Sequence, residues 1–336
     1  MTFVRLRTAQ GRIAAAAAAL LCLVGCSRES TQPAQPALPP PPETRLLFGG
    51  DVMLCREVGR RIRASGDPAH PFRKIAPLLK SADLTFVNLE SPFADRGPGG
   101  ESGLIFRARP ETIAGLVEAG VDVASTANNH ARDCGDYGVE YTASWLRRHN
   151  IEPAGSAETA EKAHQGVVLA RHGIRFGFLG YTYDQSNGNW RNVDQRVALA
   201  DAYEMRRDVL RLRQRADVVI VSMHHGIEYA RQPAAAQMVF ARMAIDAGAS
   251  LVIGHHPHVI QPVEHYRGGV IFYSLGNLVF DQFQRVETQH GAIADVRFLG
   301  TRLASAEVIP VRITHDGPEV DAAPTGSGSV EAAPAR

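Results

Sequence analysis

The sequence carries almost no net charge, with 36 basic side chains against 35 acidic ones. A nucleic-acid partner calls for clustered Lys and Arg, so this balance argues against one. Internal repeats are absent too, and cysteine is scarce, at four in 336 residues. No apolar run is long enough to span a membrane comfortably; the longest, Ile13 to Val24, falls short of the length required. What remains is ordinary globular composition, 45% hydrophobic and 21% charged. The length allows a large core in one big domain or two small ones.

The two ends read differently from the middle. Arg5, Arg7 and Arg12 precede the short apolar run, which ends in Leu23-Val24-Gly25-Cys26. A positive region, an apolar region and small residues before a cysteine are the pattern of a bacterial lipoprotein signal. Residues 1–26 are therefore expected to direct export, with Cys26 lipidated and the chain held at the periplasmic or cell-surface side of a membrane. Ser27 to Glu43 is proline-rich and favours extended polyproline II. At about 3 Å per residue such a linker reaches some 50 Å. Residues 315–336 hold Gly, Ser, Ala and Pro with little apolar content, and are expected to be a disordered tail. The folded domain is then 44–314.

Within that domain short apolar strands alternate with amphipathic helices. Strands are expected at 45–48, 84–87, 121–125, 218–222 and 251–253, with a hairpin over 166–179. Helices are expected at 111–119, 137–149, 198–215 and 234–247, and beyond Val259 only strands: 259–265, 270–275, 291–298 and 306–314. Five strands end in clusters of Asp, Asn, Glu or His. Ligands of open α/β sheets bind outside the carboxyl ends of strands, so these clusters are expected to meet at one edge of one sheet.

The densest cluster is Gly254-His255-His256-Pro257-His258. Neutral imidazole is a good ligand for zinc, iron and manganese, and on extended backbone His256 and His258 point to the same side. Hydrolysis at a metal pair needs oxygen ligands and imidazoles around two cations. Asp51, Glu90, Asn129, His224, His256 and His258 supply that mix, and His130 could protonate a leaving group. Asp51 could instead cap a turn, and Glu90 could be a buried carboxylate only. Asn88 and Asn128 read equally as turn residues or neighbours of ligands. His225 and His255 are candidates to pack against or orient the site. Glu228 and Asn277 are candidates on the substrate side. The arginines at 56, 60, 61 and 63 read as a solvated helix face, or as a guide for a polyanion.

The motifs GGDVML (49–54), VNLESP (87–92), TANNHARDCG (126–135), VIVSMHHGIEY (219–229), LVIGHHPHVIQPVE (251–264) and IFYSLGNLVFD (271–281) carry a family resemblance. In strand-end order they resemble the calcineurin-like metallophosphoesterases, and more closely the CapA family of bacterial capsule and poly-γ-glutamate synthesis. The resemblance covers essentially all of 45–314. It implies an α/β fold, a metallophosphatase-like four-layer α/β/β/α sandwich of two mixed sheets. It also implies divalent metal ions, two in number, as cofactors (Mn, Fe or Zn). The implied partners are an anionic polymer such as poly-γ-glutamate and other capsule-synthase subunits. A metal-dependent hydrolase, acting on a phosphoester or a γ-glutamyl amide, is one expected role; a non-catalytic polymer-binding or assembly role is another, and a general envelope phosphoesterase a third. The departures bear on this choice. Where the broader phosphoesterases carry Asp-x-His, this chain has Asp51-Val52-Met53, and Glu90 stands where they offer an Asp. His224-His225-Gly226 replaces a His-Trp-Gly, with the register favouring His224 as the ligand. Cys55 and Cys134 are the only cysteines within the domain, and the family usually carries neither. In an oxidising compartment they can pair, and the spacing leaves that pairing open.

Overall fold

The runs Val218-Val219-Ile220-Val221 and Leu251-Val252-Ile253 lack polar alternation. Strands covered on both faces require that, and every residue of the two strands they form is buried. The computed structural model describes residues 41–100, 102–183 and 196–321. The expected signal segment with Cys26, the linker up to residue 40 and residues 322–336 of the tail lie outside the described residues.

In chain order the first half comprises β1 (Glu43–Val52), α1 (Arg56–Ser65), α2 (Ala76–Leu79), β2 (Leu84–Leu89), α3 (Ile113–Glu118), β3 (Val123–Ser125), α4 (Gly135–Arg148) and β4 (Glu152–Ala154). Next come α5 (Ala160–Gln165), β5 (Val167–Arg171), β6 (Ile174–Thr182), α6 (Ala202–Leu212), β7 (Val218–His224), α7 (Ala235–Ala247) and β8 (Leu251–His255). The chain then runs through β9 (Val263–Tyr266), β10 (Gly269–Phe272), β11 (Asn277–Val279), β12 (His290–Leu299), β13 (Arg302–Thr314) and β14 (Gly317–Val320).

These strands form two mixed sheets. The first has the order β14-β13-β12-β1-β2-β3-β4, with β11 also paired to β1. The second has the order β5-β6-β7-β8-β10-β9. Three apolar layers make the sandwich. Phe48, Phe86, Phe176, Phe178 and Phe272 fill the seam between the sheets. Ile62, Leu79, Leu116 and Leu146 bring α1 to α4 onto the outer face of the first sheet. Met205, Val209, Phe240 and Ala244 bring α6 and α7 onto the outer face of the second. Burying each aromatic of the seam stabilises by about 1.5–3 kcal/mol relative to exposure.

Several boundaries differ from the expectations. The helix expected over 198–215 starts only at Ala202, because Asp201 accepts hydrogen bonds from Tyr203 N and Glu204 N, both at 2.9 Å. The preceding residues extend the sheet edge instead, with Val197 bridged to Ser156 and Leu199 to Thr182. The strand expected at 259–265 begins at Val263, after Pro262, which has no N–H for a ladder. Strand β1 takes in Glu43 from the expected linker. The tail expected to be disordered from residue 315 instead contributes β14, paired antiparallel to β13. Two glycines flank β11: a Cβ on Gly50 would lie 2.0 Å from Gly276 O, and one on Gly291 would lie 1.8 Å from Asn277 O. Only glycine permits that approach, which sets Asn277 in register beside Asp51.

Candidate metal centre

The polar strand ends do meet, but not on one sheet. Asp51, Asn88 and Glu90 follow from β1 and β2, and Asn128, Asn129 and His130 from the loop after β3, all on the first sheet. His224 ends β7 and His255 ends β8 on the second sheet, with His256 and His258 in the turn beyond. The expected single edge is thus a seam between two sheets. The extended backbone expected for His256 and His258 is also corrected. Both have positive φ, 96° and 57°, a strained conformation for non-glycine residues. Their rings still lie 6.1 Å apart on the same cleft.

Contacts tie the two sheets together. Asn88 Nδ2 donates to Asp51 Oδ1 at 2.8 Å and lies 3.2 Å from His224 Nδ1. Asn128 Nδ2 donates to Leu89 O at 2.7 Å, and Asn128 Oδ1 accepts from His130 N at 3.2 Å. His224 Nε2 lies 2.9 Å from Asn129 Oδ1 and 3.1 Å from His256 Nδ1. His256 N donates to Asp51 Oδ2 at 3.2 Å, while His256 Nε2 meets the Tyr183 hydroxyl at 2.9 Å. His258 Nδ1 sits 3.3 Å from Asp51 Oδ2, and its Nε2 3.6 Å from Glu90 Oε1. Asp51, Glu90 and His258 offer ligand atoms within 4.8 Å of one another.

Glu90 stands out chemically. It is fully buried, and neither carboxylate oxygen has a hydrogen-bond partner among the described residues. Three imidazole nitrogens face its Oε1: His258 Nε2 at 3.6 Å, His224 Nε2 at 3.9 Å and His130 Nε2 at 4.0 Å. An orphaned buried carboxylate costs more than a typical hydrogen bond contributes. A donor set of carboxylate, amide oxygen and imidazole around it fits a divalent cation.

Electrostatics follow the same geometry. Burial and the nearby Asp51 charge push the Glu90 carboxyl well above its usual range, against the pull of His258. Burial also pushes Asp51 upward, but His255 and His258 beside it outweigh that and hold it well below. His258 is pushed down by burial, yet Glu90 and Asp51 raise it to about 9. Burial and the His258 charge lower His256 to about 3, and burial and His256 hold His224 well below the usual value.

The remaining candidates sort themselves by position. His130 Nδ1 lies 2.7 Å from Asp133 Oδ2, and its ring stacks on Phe106 at 3.7 Å, which leaves Nε2 toward the cleft. Asp133 was not singled out from the sequence; its i,i+3 spacing from His130 was the available signal. Tyr183 was also missed, and nothing near it in sequence marks it. His255 is fully buried, its Nδ1 3.2 Å from Asp51 Oδ1 without hydrogen-bond alignment. His225 is half-buried, stacked on Tyr183 at 5.3 Å and lowered to about 4 by burial. Glu228 is exposed at the rim, while Asn277 is buried against His258. Met53 is buried with its sulfur 3.2 Å from Cys55 Sγ. Of the four arginines, Arg56 pairs with Asp281 and lies over the Phe106 ring, whereas Arg60 and Arg61 pair with Glu57 on the helix surface. Cys55 and Cys134 are both buried free thiols. Their pairing, left open by the sequence, is not made: Cys134 Sγ faces Pro98 O and Phe106 O instead. No helix among the described residues is long and apolar enough to cross a membrane.

Two mixed sheets between helical layers, with a buried Asp/Glu/His group at their joined strand ends, define a metallophosphatase-like sandwich. A phosphatase crystal structure from Mycoplasma pneumoniae shares this fold at a TM-score of 0.50 and 15% identity, covering 81% of this chain and 94% of that one. A family model described as "Bacterial capsule synthesis protein PGA_cap" matches residues 45–282, and the chain belongs to that family. It is 32% identical over 284 residues to "Capsule biosynthesis protein CapA" of Bacillus anthracis, covering 80% of this chain and 67% of that protein. It is 30% identical over 275 residues to "PGA biosynthesis protein CapA" of Bacillus subtilis, covering 81% and 72%.

Proposed function

We propose that this protein acts in the synthesis or export of an anionic capsule polymer such as poly-γ-glutamate, using a hydrolytic site that holds divalent cations. The unpartnered Glu90 carboxylate, buried among three imidazoles, carries the reading. Asp51, Glu90 and His258 would hold one ion, and Glu90, Asn129, His224 and His256 a second; manganese, iron and zinc all suit these donors. Bound there, the ions would supply Lewis acidity for a phosphoryl or carbonyl oxygen. His130, steadied by Asp133 and Phe106, would pass a proton to a leaving group through Nε2. The capsule role rests on family membership and on the similarity to the two Bacillus CapA proteins. Export and lipid attachment at Cys26 rest on the signal pattern of residues 1–26, with association to other capsule-synthase subunits as the expected context.

A binding role without catalysis is the second reading, and one observation favours it. Met53 occupies the Asp-x-His position with its sulfur against Cys55, so that position supplies no imidazole. Metal analysis of the purified chain after loading with manganese, iron or zinc separates the two. Two ions per chain, lost together in Glu90→Gln, support the hydrolase. No ion under any loading condition leaves only the binding role.

A further inference from the structure

Asn277 belongs to the SLGNLVFD segment, which the proposed chemistry does not use. It is fully buried at the start of β11, in register beside Asp51. Its amide orientation is fixed by its surroundings. Nδ2 donates to the backbone carbonyl of Thr288 at 3.0 Å and to Gln282 Oε1 at 3.2 Å. Both amide protons are thereby used on the side away from the cleft. The carbonyl oxygen, Oδ1, then faces His258 Nδ1 at 3.0 Å. Two such atoms form a hydrogen bond only if Nδ1 carries the proton.

We propose that Asn277 is a positioning residue for the cation site: it accepts the His258 Nδ1 proton and so aims the bare Nε2 of His258 at the ion beside Glu90. A ligand imidazole generally donates its other N–H to a carbonyl or carboxylate, which fixes its tautomer and its ring. The other acceptor beside His258 Nδ1 is Asp51 Oδ2 at 3.3 Å. That oxygen belongs to a proposed ligand, so Asn277 spares Asp51 from holding the proton. The close approach needs Gly50 and Gly291 on either side of β11, where a Cβ would collide with backbone oxygens. The inference rests on the metal reading above, and its test separates failure of one from failure of the other.

The full chain is stripped with a chelator and titrated with zinc against a chromophoric competitor, as wild type, Asn277→Asp, Asn277→Leu and Glu90→Gln. Both Asn277 substitutions delete the donors to Thr288 and Gln282, and both lower the melting temperature. Only the aspartate keeps an acceptor opposite Nδ1. Zinc affinity is expected to fall about 10–100-fold in Asn277→Leu, the usual range for losing such a partner, and to recover for the most part in Asn277→Asp. Equal losses in both variants, tracking melting temperature, would make Asn277 structural only and overturn the proposal; so would no loss in either. A second readout works on the unmutated protein, in case the leucine variant does not fold. Nitrogen-15 histidine spectra of the zinc form, with His258→Gln for assignment, should show His258 protonated at Nδ1. Protonation at Nε2 overturns the proposal. Failure of wild type to take up zinc, or manganese or iron in its place, overturns the metal reading itself.

Discussion

The two walls of the cleft differ in their chemistry. The first sheet brings oxygen, from Asp51, Glu90 and Asn129, whereas the second brings nitrogen, from His224, His255, His256 and His258. Each wall alone would bury groups at high cost. Joined, they offset each other at Asp51, which His255 and His258 hold ionised. At Glu90 they do not: that carboxyl is pushed up while His224 and His256 are pushed down. A cation bound among these groups can reverse such shifts, by taking the place of protons. The site is therefore a property of the seam and of neither sheet.

His130 is the one imidazole on the oxygen wall, and it gives the largest expected effect. His130→Ala should leave metal content unchanged while any hydrolytic turnover falls about 10²–10⁴-fold, the usual contribution of a general acid. Loss of metal in this variant would place His130 among the ligands and blur the division between the walls.

The seam itself can be weakened away from the polar cluster. Phe86 of the first sheet stacks on Phe178 of the second, with centroids 5.9 Å apart, and is almost fully buried. Phe86→Ala should cost about 3–5 kcal/mol in denaturant unfolding. A cost below about 1 kcal/mol would show that the sheets are held together elsewhere, since a single lost methylene accounts for that much.

The smallest effect lies at the far end of the second sheet. Hydrogen bonds from Arg175 lower Asp217 to about 2. An unfolded aspartate titrates near about 3.9. The pair therefore stabilises the fold above that pH, and its contribution is lost as pH falls through about 2. Being at the surface, it should amount to no more than about 1 kcal/mol. Asp217→Asn should remove a shallow slope from the stability profile between pH 4 and 2 at low salt, and an unchanged slope would assign it to other carboxylates.

Much of the fold was legible because apolar runs and stop signals are local. Gly248 ends α7 in a left-handed conformation, and the hairpin of β5 and β6 turns at His172-Gly173 with positive φ at both. The miss at 198–215 came from propensity: residues 198–200 read as helix, but the bridges of Val197 to Ser156 and Leu199 to Thr182 hold them against the strands. Strand β14 was missed because four residues of GPEV show no periodicity and pair only through β13. In the site, His256 and His258 were found by their density, whereas Tyr183 had no local signal and is recruited by a hydrogen bond 73 residues away.

By itself the sequence determined which residue types stand at strand ends, and therefore that a polar, metal-suited cluster exists on an α/β frame. Order along the chain is enough for that, because a strand and the loop after it are contiguous. Only the tertiary structure decided that the cluster is split between two sheets and that Glu90 is left without a partner. It also decided that the Asn277 amide is turned with its oxygen inward and that two cysteines stay apart. Those outcomes depend on distances between segments up to about two hundred residues apart, such as Asp51 and His256. Distances of that kind are set by how the seam packs, and close packing admits one arrangement.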